Sequence, residues 1–103
     1  MGNRGGATPA AVSVVFARRA LADLARIREQ IGQDSPAAAN RVAVQLLAAC
    51  DRLEYLPERG RPGLVPNTRE LVALWPYVIV YRVTPEGVQV ARIWHGAQDR
   101  TGK

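Results

Sequence analysis

The sequence is short of several residue types, and each shortage limits what the protein can be. It has one cysteine and one histidine among 103 residues, so an internal disulfide is excluded and we predict no metal site and no cofactor. No stretch approaches the roughly 18 continuous apolar residues that a membrane-spanning helix needs. The N-terminus also lacks the apolar core of a signal peptide. We therefore predict a cytoplasmic protein that makes no contact with a membrane.

Lysine is almost absent as well. Of the 14 basic residues 13 are arginine, and Lys103 is the remaining one. Against nine acidic residues this gives a net charge of +5 and a pI near 10.3. Because the planar guanidinium group pairs bidentately with carboxylates and phosphates, the balance indicates an acidic partner, either nucleic acid or an acidic protein segment. An arginine-covered surface with no such partner is the other interpretation.

The remaining composition is that of a globular chain. Hydrophobic residues make up 48% of the sequence and charged residues 22%, which suits one small domain with a single core. Residues 1–11 are rich in glycine, alanine and proline, and we predict that they form a disordered leader. The domain is predicted to span residues 12–100, and residues 101–103 form a tail.

The first half of the domain changes from a strand pattern to a helical one. A β-branched run over residues 12–16 predicts a strand. Apolar residues then recur at spacings of three and four over residues 17–31, which predicts an amphipathic helix. Ser35 followed by Pro36 indicates the start of a second helix, predicted to end near residue 56. The short linker between the two helices predicts an antiparallel helical hairpin.

The second half reads as strands. Residues 77–83 are almost all β-branched or aromatic, with Pro76 before them and a Thr-Pro-Glu-Gly turn after them,. Strands are also predicted over residues 69–74 and 88–94, after a loop that covers residues 57–68. The predicted fold is therefore α+β with the order β-α-α-β-β-β, in which the helical hairpin packs on a small, mostly antiparallel sheet.

Two motifs near the end of this order carry a family resemblance. They are Tyr77-Val-Ile-Val-Tyr81-Arg-Val and Arg92-Ile-Trp-His95-Gly-Ala-Gln-Asp99, which follow the leading strand, the hairpin and a loop rich in proline, glycine and arginine. Over residues 12–100 the chain resembles the ParE/RelE superfamily of bacterial toxins. The resemblance implies a toxin of a type II toxin–antitoxin system. It also implies an antitoxin resembling ParD, whose C-terminal segment folds on the toxin.

The resemblance leaves two branches of this superfamily to choose between. The RelE branch resembles a ribosome-dependent ribonuclease and commonly has an arginine at the position that Val78 occupies here. The ParE branch resembles a poison of DNA gyrase, which it inhibits by binding, with no catalysis and no sequence-specific DNA contact of the toxin alone. We favour the ParE branch, which implies no catalytic residue. The alternative is a messenger-RNA endoribonuclease with His95 and Arg69 as its catalytic residues.

Seven residues are predicted to bind a partner, because arginines suit acidic groups, tryptophan is enriched at interfaces and the second helix has surplus apolar surface. They are Leu47, Arg61, Arg69, Arg82, Arg92, Trp94 and His95. Several have simpler interpretations. His95 would fix the chain end through a hydrogen bond, Arg69 would hold the preceding loop or pair with Asp99, and Trp94 would pack against the second helix. Cys50 and Tyr81 are predicted to be core residues.

Overall fold

Residues 13–96 are described by a computed structural model, and they form two helices and five strands. The predicted leader, the tail and Asp99 lie outside these described residues. The elements are β1 at Ser13–Phe16, α1 at Arg18–Gly32, α2 at Pro36–Arg52, β2 at Arg61–Pro62, β3 at Arg69–Leu74, β4 at Tyr77–Thr84 and β5 at Gly87–His95.

The strands form one sheet in the order β1-β5-β4-β3-β2. β1 pairs in parallel with β5, and every other pair is antiparallel. This arrangement confirms the predicted α+β fold, with the tyrosine-rich β4 at the centre. The sequence missed β2, which pairs Arg61 with Glu70 and Pro62 with Arg69 inside the segment that was predicted to be a loop. Two residues are too few to produce a recognisable alternation.

The two helices form the predicted hairpin, and the start of α2 is as expected. The Ser35 hydroxyl accepts a hydrogen bond from the Ala38 N–H at 3.1 Å, with proline at the first helical position,. The predicted end near residue 56 was wrong, because α2 ends at Arg52. The apolar spacing continues through Leu56, but Pro57 follows it, and a residue before proline is disfavoured in the helical conformation.

The core lies between the hairpin and one face of the sheet. Its fully buried members include Leu46, Leu53 and Ile79. Cys50 is buried among them, and burial raises the pKa of its thiol to about 12, so it is an inert core residue as predicted,. Tyr81 is also fully buried, and its hydroxyl accepts a hydrogen bond from the Gly60 N–H at 2.7 Å. The core therefore includes the expected tyrosine, with its polar atom satisfied.

The other face of the sheet is covered in part by the segment that leads into β3. The Glu70 carboxylate is buried there and accepts hydrogen bonds from the Leu64 N–H and the Arg61 guanidinium, both at 3.2 Å. These bonds hold the loop after β2 against the sheet. Val78 and Val80 are buried on this same face, which confirms that β4 is covered on both sides.

A glycine permits the single parallel pairing of the sheet. Gly87 begins β5 with a φ of +141° and pairs with Ser13 of β1. A Cβ atom at residue 87 would collide with the Ser13 carbonyl oxygen, and the positive φ also disfavours other residues. β1 can therefore approach β5 only because residue 87 has no side chain.

Within residues 13–96, neither helix has the length and apolar character that crossing a membrane requires.

Candidate functional site

A buried carboxylate connects α1 to the last strand. Asp23 is only 3% exposed, and its Oδ2 accepts hydrogen bonds from Arg92 Nε at 2.7 Å and from the Ile93 N–H at 2.9 Å. Its Oδ1 accepts from Arg92 Nη2 at 3.0 Å and from Arg26 Nη2 at 2.9 Å. The carboxylate thus satisfies a backbone N–H of β5 beyond the end of β1 and fixes α1 against that strand.

The charges around Asp23 decide its ionisation. Burial alone would raise the pKa of this carboxyl group. The hydrogen bonds from Arg92 and the Ile93 N–H, with the charges of Arg92 and Arg26, outweigh burial and hold the pKa below its ordinary value,. The same ion pair raises the pKa of Arg92. Asp23 is therefore an anion at neutral pH, and two guanidinium groups face one carboxylate.

Arg92 connects this cluster to the other face of the sheet. Its guanidinium carbon lies 4.1 Å from the centre of the Trp94 ring, a cation–π contact,. Trp94 pairs across the sheet with Val78 of β4, which in turn pairs with Val72 of β3. The alternative that Trp94 packs against α2 does not fit, because the helices lie on the opposite face. Both residues stay predicted as partner contacts, but Arg92 also has a structural role that its sequence position did not reveal.

His95 borders a pocket between α1 and the ends of β4 and β5. The pocket has a volume of about 250 Å³, and its lining residues are Asp23, Arg26, Ile27, Gln30, Tyr77, Ile93 and His95. The rings of Tyr77 and His95 meet edge to face, with their centres 5.5 Å apart. The buried lining residues are Ile27, Ile93 and the Asp23 carboxylate, and the half-exposed Arg26 side chain also lines the pocket.

The strand register keeps the two candidate catalytic residues apart. His95 pairs with Tyr77, and Arg69 pairs with Tyr81. These two tyrosines are four residues apart on β4, which corresponds to about 13 Å along the strand. Arg69 donates to the carbonyl oxygens of Gly60 at 2.7 Å and Glu58 at 3.3 Å. It therefore holds the loop before β2, one of the two interpretations that its sequence left open.

The other predicted arginines lie at different places on the sheet. Arg61 is mostly exposed and donates to Glu70 at the β2 edge. Arg82 is partly exposed and pairs with Gln89 near the turn between β4 and β5. Together with Arg92 they are spread along the sheet instead of converging on one point. They form a basic surface more readily than a single anion site.

Leu47 is one of several exposed apolar side chains on the helical hairpin. The Arg28 guanidinium donates to the Asn40 side-chain oxygen across the hairpin at 3.2 Å, and Leu21 and Leu47 each lie seven residues further from the turn. The antiparallel register therefore places these two leucines side by side. Val44 is 65% exposed one turn before Leu47, and Tyr55 and Leu56 are exposed beyond the end of α2. The hairpin groove is defined by these residues: Leu21, Val44, Leu47, Tyr55 and Leu56.

Sequence reasoning missed Asp23 and Arg26. In the helical pattern they looked like ordinary surface charges, because α1 lies close enough to β5 only in the folded protein. One signal was present: residues 20, 23, 24 and 27 share one helical face, so Asp23 falls on the apolar stripe.

Among residues 13–96, no group of three or more histidine, cysteine or acidic side chains is placed to hold a metal ion.

These features are those of a small α+β domain in which two helices pack on one face of a five-stranded sheet. Residues 14–100 match the family described as the ParE toxin of the type II toxin–antitoxin system parDE. The chain belongs to this ParE toxin family, which confirms the resemblance of its sequence motifs.

Relatives cover nearly the same region. Toxin RelE2 of Caulobacter vibrioides is 51% identical over 85 residues, which are 82% of this chain and 96% of the relative. The putative toxin Y4kP of Sinorhizobium fredii is 42% identical over 78% of this chain and 83% of its own length. A solved chain of the chromosomal ParDE system from P. aeruginosa superimposes with a TM-score of 0.75 at 27% identity. That match covers 82% of this chain and 95% of the solved one. The names of these relatives include both RelE and ParDE.

Proposed function

We propose that this toxin acts in the cytoplasm as a ParE-type inhibitor of DNA gyrase, that it works by binding, and that a ParD-like antitoxin neutralises it. Toxin and antitoxin form the expected pair because the family is that of the parDE system. The net charge of +5 favours an acidic partner,. Arg82 adds to it on the sheet, whereas Arg61 and Arg92 are each paired with a buried carboxylate. Neither role requires a set of convergent catalytic groups.

The observation that carries this proposal is the position of Val78. It is 2% exposed and lies in a row with Val72 and Trp94 on the face of the sheet opposite the helices. Ribonuclease relatives commonly have an arginine at this position, and phosphate stabilisation during RNA cleavage needs such a cation. A buried valine leaves this position without a cation, which favours inhibition by binding over RNA cleavage.

The hairpin groove supports the antitoxin part of the proposal. An amphipathic helix binds a groove by placing its apolar face on exposed side chains of this kind. A contiguous apolar surface that remains exposed in a small folded domain is typical of an interaction site. Leu21, Val44 and Leu47 would contact such a helix along α1 and α2, and Tyr55 and Leu56 would extend the contact beyond them.

Ribosome-dependent cleavage of messenger RNA is the second candidate function, and one observation favours it. His95 borders the pocket together with Tyr77 and Arg26. A general acid or base beside a cation is the minimum that RNA cleavage requires. In the ribonuclease hypothesis Arg26 would take the place of Arg69 as the cation, because the Arg69 guanidinium donates to the Gly60 carbonyl oxygen.

Expression of the toxin without its antitoxin distinguishes the two functions. We expect double-strand DNA breaks and loss of negative supercoiling within minutes, while translated messenger RNA stays intact. Pulsed-field gels, plasmid topology and primer extension on abundant transcripts measure these three quantities in the same culture. Rapid cleavage of translated messages with intact chromosomal DNA would overturn the gyrase proposal and support the ribonuclease.

A further inference from the structure

We propose that the pocket between α1 and the ends of β4 and β5 binds the side-chain carboxylate of a glutamate on the antitoxin. This inference rests on the proposed antitoxin pairing and adds a second contact to the hairpin groove. In it the Arg26 guanidinium pairs with the incoming carboxylate, and the apolar floor of Ile27 and Ile93 receives the methylene groups of the glutamate.

Arg26 has hydrogen-bond donors to spare. Its Nη2 atom donates to Asp23 Oδ1, and its side chain remains 51% exposed at the mouth of the pocket. A guanidinium group carries five N–H donors, so donors remain for a second, bidentate carboxylate. Asp23 holds Arg26 in place from below, which reduces the entropy lost when the new pair forms.

The pocket suits a carboxylate better than a phosphate. Asp23 lies within the lining, and its negative charge is offset by Arg92 as well as by Arg26. Two guanidinium groups against one carboxylate leave a single positive charge, which matches a monoanion. Phosphate groups are usually bound by clusters of cations. The apolar floor would gain nothing from a phosphate, whereas it can cover the methylene groups of a glutamate.

The pocket lies within reach of a segment bound in the hairpin groove. The groove runs along the α2 side of α1, and the pocket lies on the β5 side of the same helix. A helix with its side chains is about 10 Å wide. The path around the outside of such a helix is half its circumference, about 16 Å. An extended segment advances about 3.3 Å per residue, so about five residues would cross α1 from the groove to the pocket.

The affinity of the toxin for the antitoxin encoded beside it tests this inference. We expect Arg26→Gln to weaken the complex about tenfold at low salt, in line with the value of one charge-assisted hydrogen bond. Arg26→Lys keeps the positive charge but not the bidentate guanidinium group, so its affinity for the antitoxin should lie between those of Arg26→Gln and the wild type. Arg18→Gln is the control, because it makes the same charge change on α1 about 12 Å away along the helix and should leave the affinity within about twofold.

A double-mutant cycle then identifies the partner residue. Each acidic residue of the antitoxin is changed to its amide, and one glutamate change should cost nothing further once Arg26→Gln is present. If wild-type toxin and antitoxin associate but no acidic residue couples to Arg26, the pocket inference is wrong and the antitoxin proposal stands. If the wild-type pair does not associate at all, the proposed function itself fails. Unchanged antitoxin affinity together with weaker retention of Arg26→Gln on a DNA oligonucleotide would mean that the pocket binds phosphate, which overturns the inference.

Discussion

Asp23 stabilises the fold as a buried carboxylate that is fully paired. It accepts four hydrogen bonds while almost fully buried. Removing one partner of a buried ion pair leaves the other charge uncompensated and typically costs about 3 kcal/mol or more. The Ile93 N–H would lose its acceptor as well. A single side chain thus fixes both the first helix and the last strand.

We predict that Asp23→Ala lowers the free energy of unfolding by about 3 kcal/mol, as measured by urea denaturation. Asp23→Asn should cost less, because the amide oxygen can still accept from the Ile93 N–H. Arg26→Gln provides the control, since its half-exposed pair with Asp23 is worth less than about 1 kcal/mol. Equal losses for Asp23→Ala and Arg26→Gln would contradict the central role of the carboxylate.

The lowered pKa of Asp23 predicts a loss of stability in acid. The folded protein holds this pKa below the unfolded value, so the unfolded chain binds the proton more readily. The stabilisation is therefore fully present above about pH 4, and it is lost as the pH falls through the folded pKa. Measured by urea denaturation between pH 7 and pH 2, the difference in stability between wild type and Asp23→Asn should narrow below about pH 4. A constant difference across that range would show that ionisation of Asp23 does not stabilise the fold.

At the scale of elements, the hairpin groove combines local and tertiary causes. The sequence showed that α2 has more apolar residues than one face can bury, because Val44 and Leu47 lie outside its main stripe. It did not show that Leu21 of α1 adjoins them, since that contact depends on how the helices align. Tyr55 and Leu56, beyond the end of α2, are exposed as well.

We predict that Val44→Asp and Leu47→Asp each weaken antitoxin binding at least a hundredfold, because a buried, unpaired carboxylate at an apolar interface costs several kcal/mol. Both side chains are exposed in the free toxin, so its melting temperature should change by only a few degrees. Val15→Asp on β1 is the matched control, as Val15 is exposed on the opposite face of the sheet. Calorimetric titration measures the affinities. If both groove variants bind the antitoxin with wild-type affinity, the antitoxin binds another surface of the toxin.

At the scale of the whole molecule, the sheet separates the two residues that the sequence offered as a catalytic pair. His95 lies beside the first residue of β4, and Arg69 lies beside Tyr81 in the middle of that strand. His95 and Arg26, by contrast, border one pocket. The family fold accommodates both the ParE branch and the RelE branch. The target therefore depends on which side chains the fold brings together at its surface. The fold and its function are therefore separate questions here.

We predict that His95→Ala retains at least part of the DNA-damaging activity when expressed without antitoxin, because a gyrase inhibitor that binds needs no proton transfer. Messenger RNA should stay intact for both wild type and variant. Primer extension and DNA-break assays measure the two outcomes, and the circular dichroism spectrum of the purified variant controls for folding. The toxin would instead be a ribonuclease if the wild type arrested growth and cleaved messenger RNA, and if a folded His95→Ala variant did neither.

The sequence by itself determined the α+β fold, the helical hairpin, the central tyrosine strand and the toxin family. These depend on local signals, such as the Ser35-Pro36 helix start and the β-branched and aromatic run over residues 77–83, and on motifs read in order. The tertiary structure alone decided the Asp23 cluster, the pocket, the two-residue β2 and the separation of His95 from Arg69. Each of these depends on contacts between different strands and helices, whose register is set only in the folded protein. The sequence therefore carried one local sign of them, the position of Asp23 on the apolar stripe of α1.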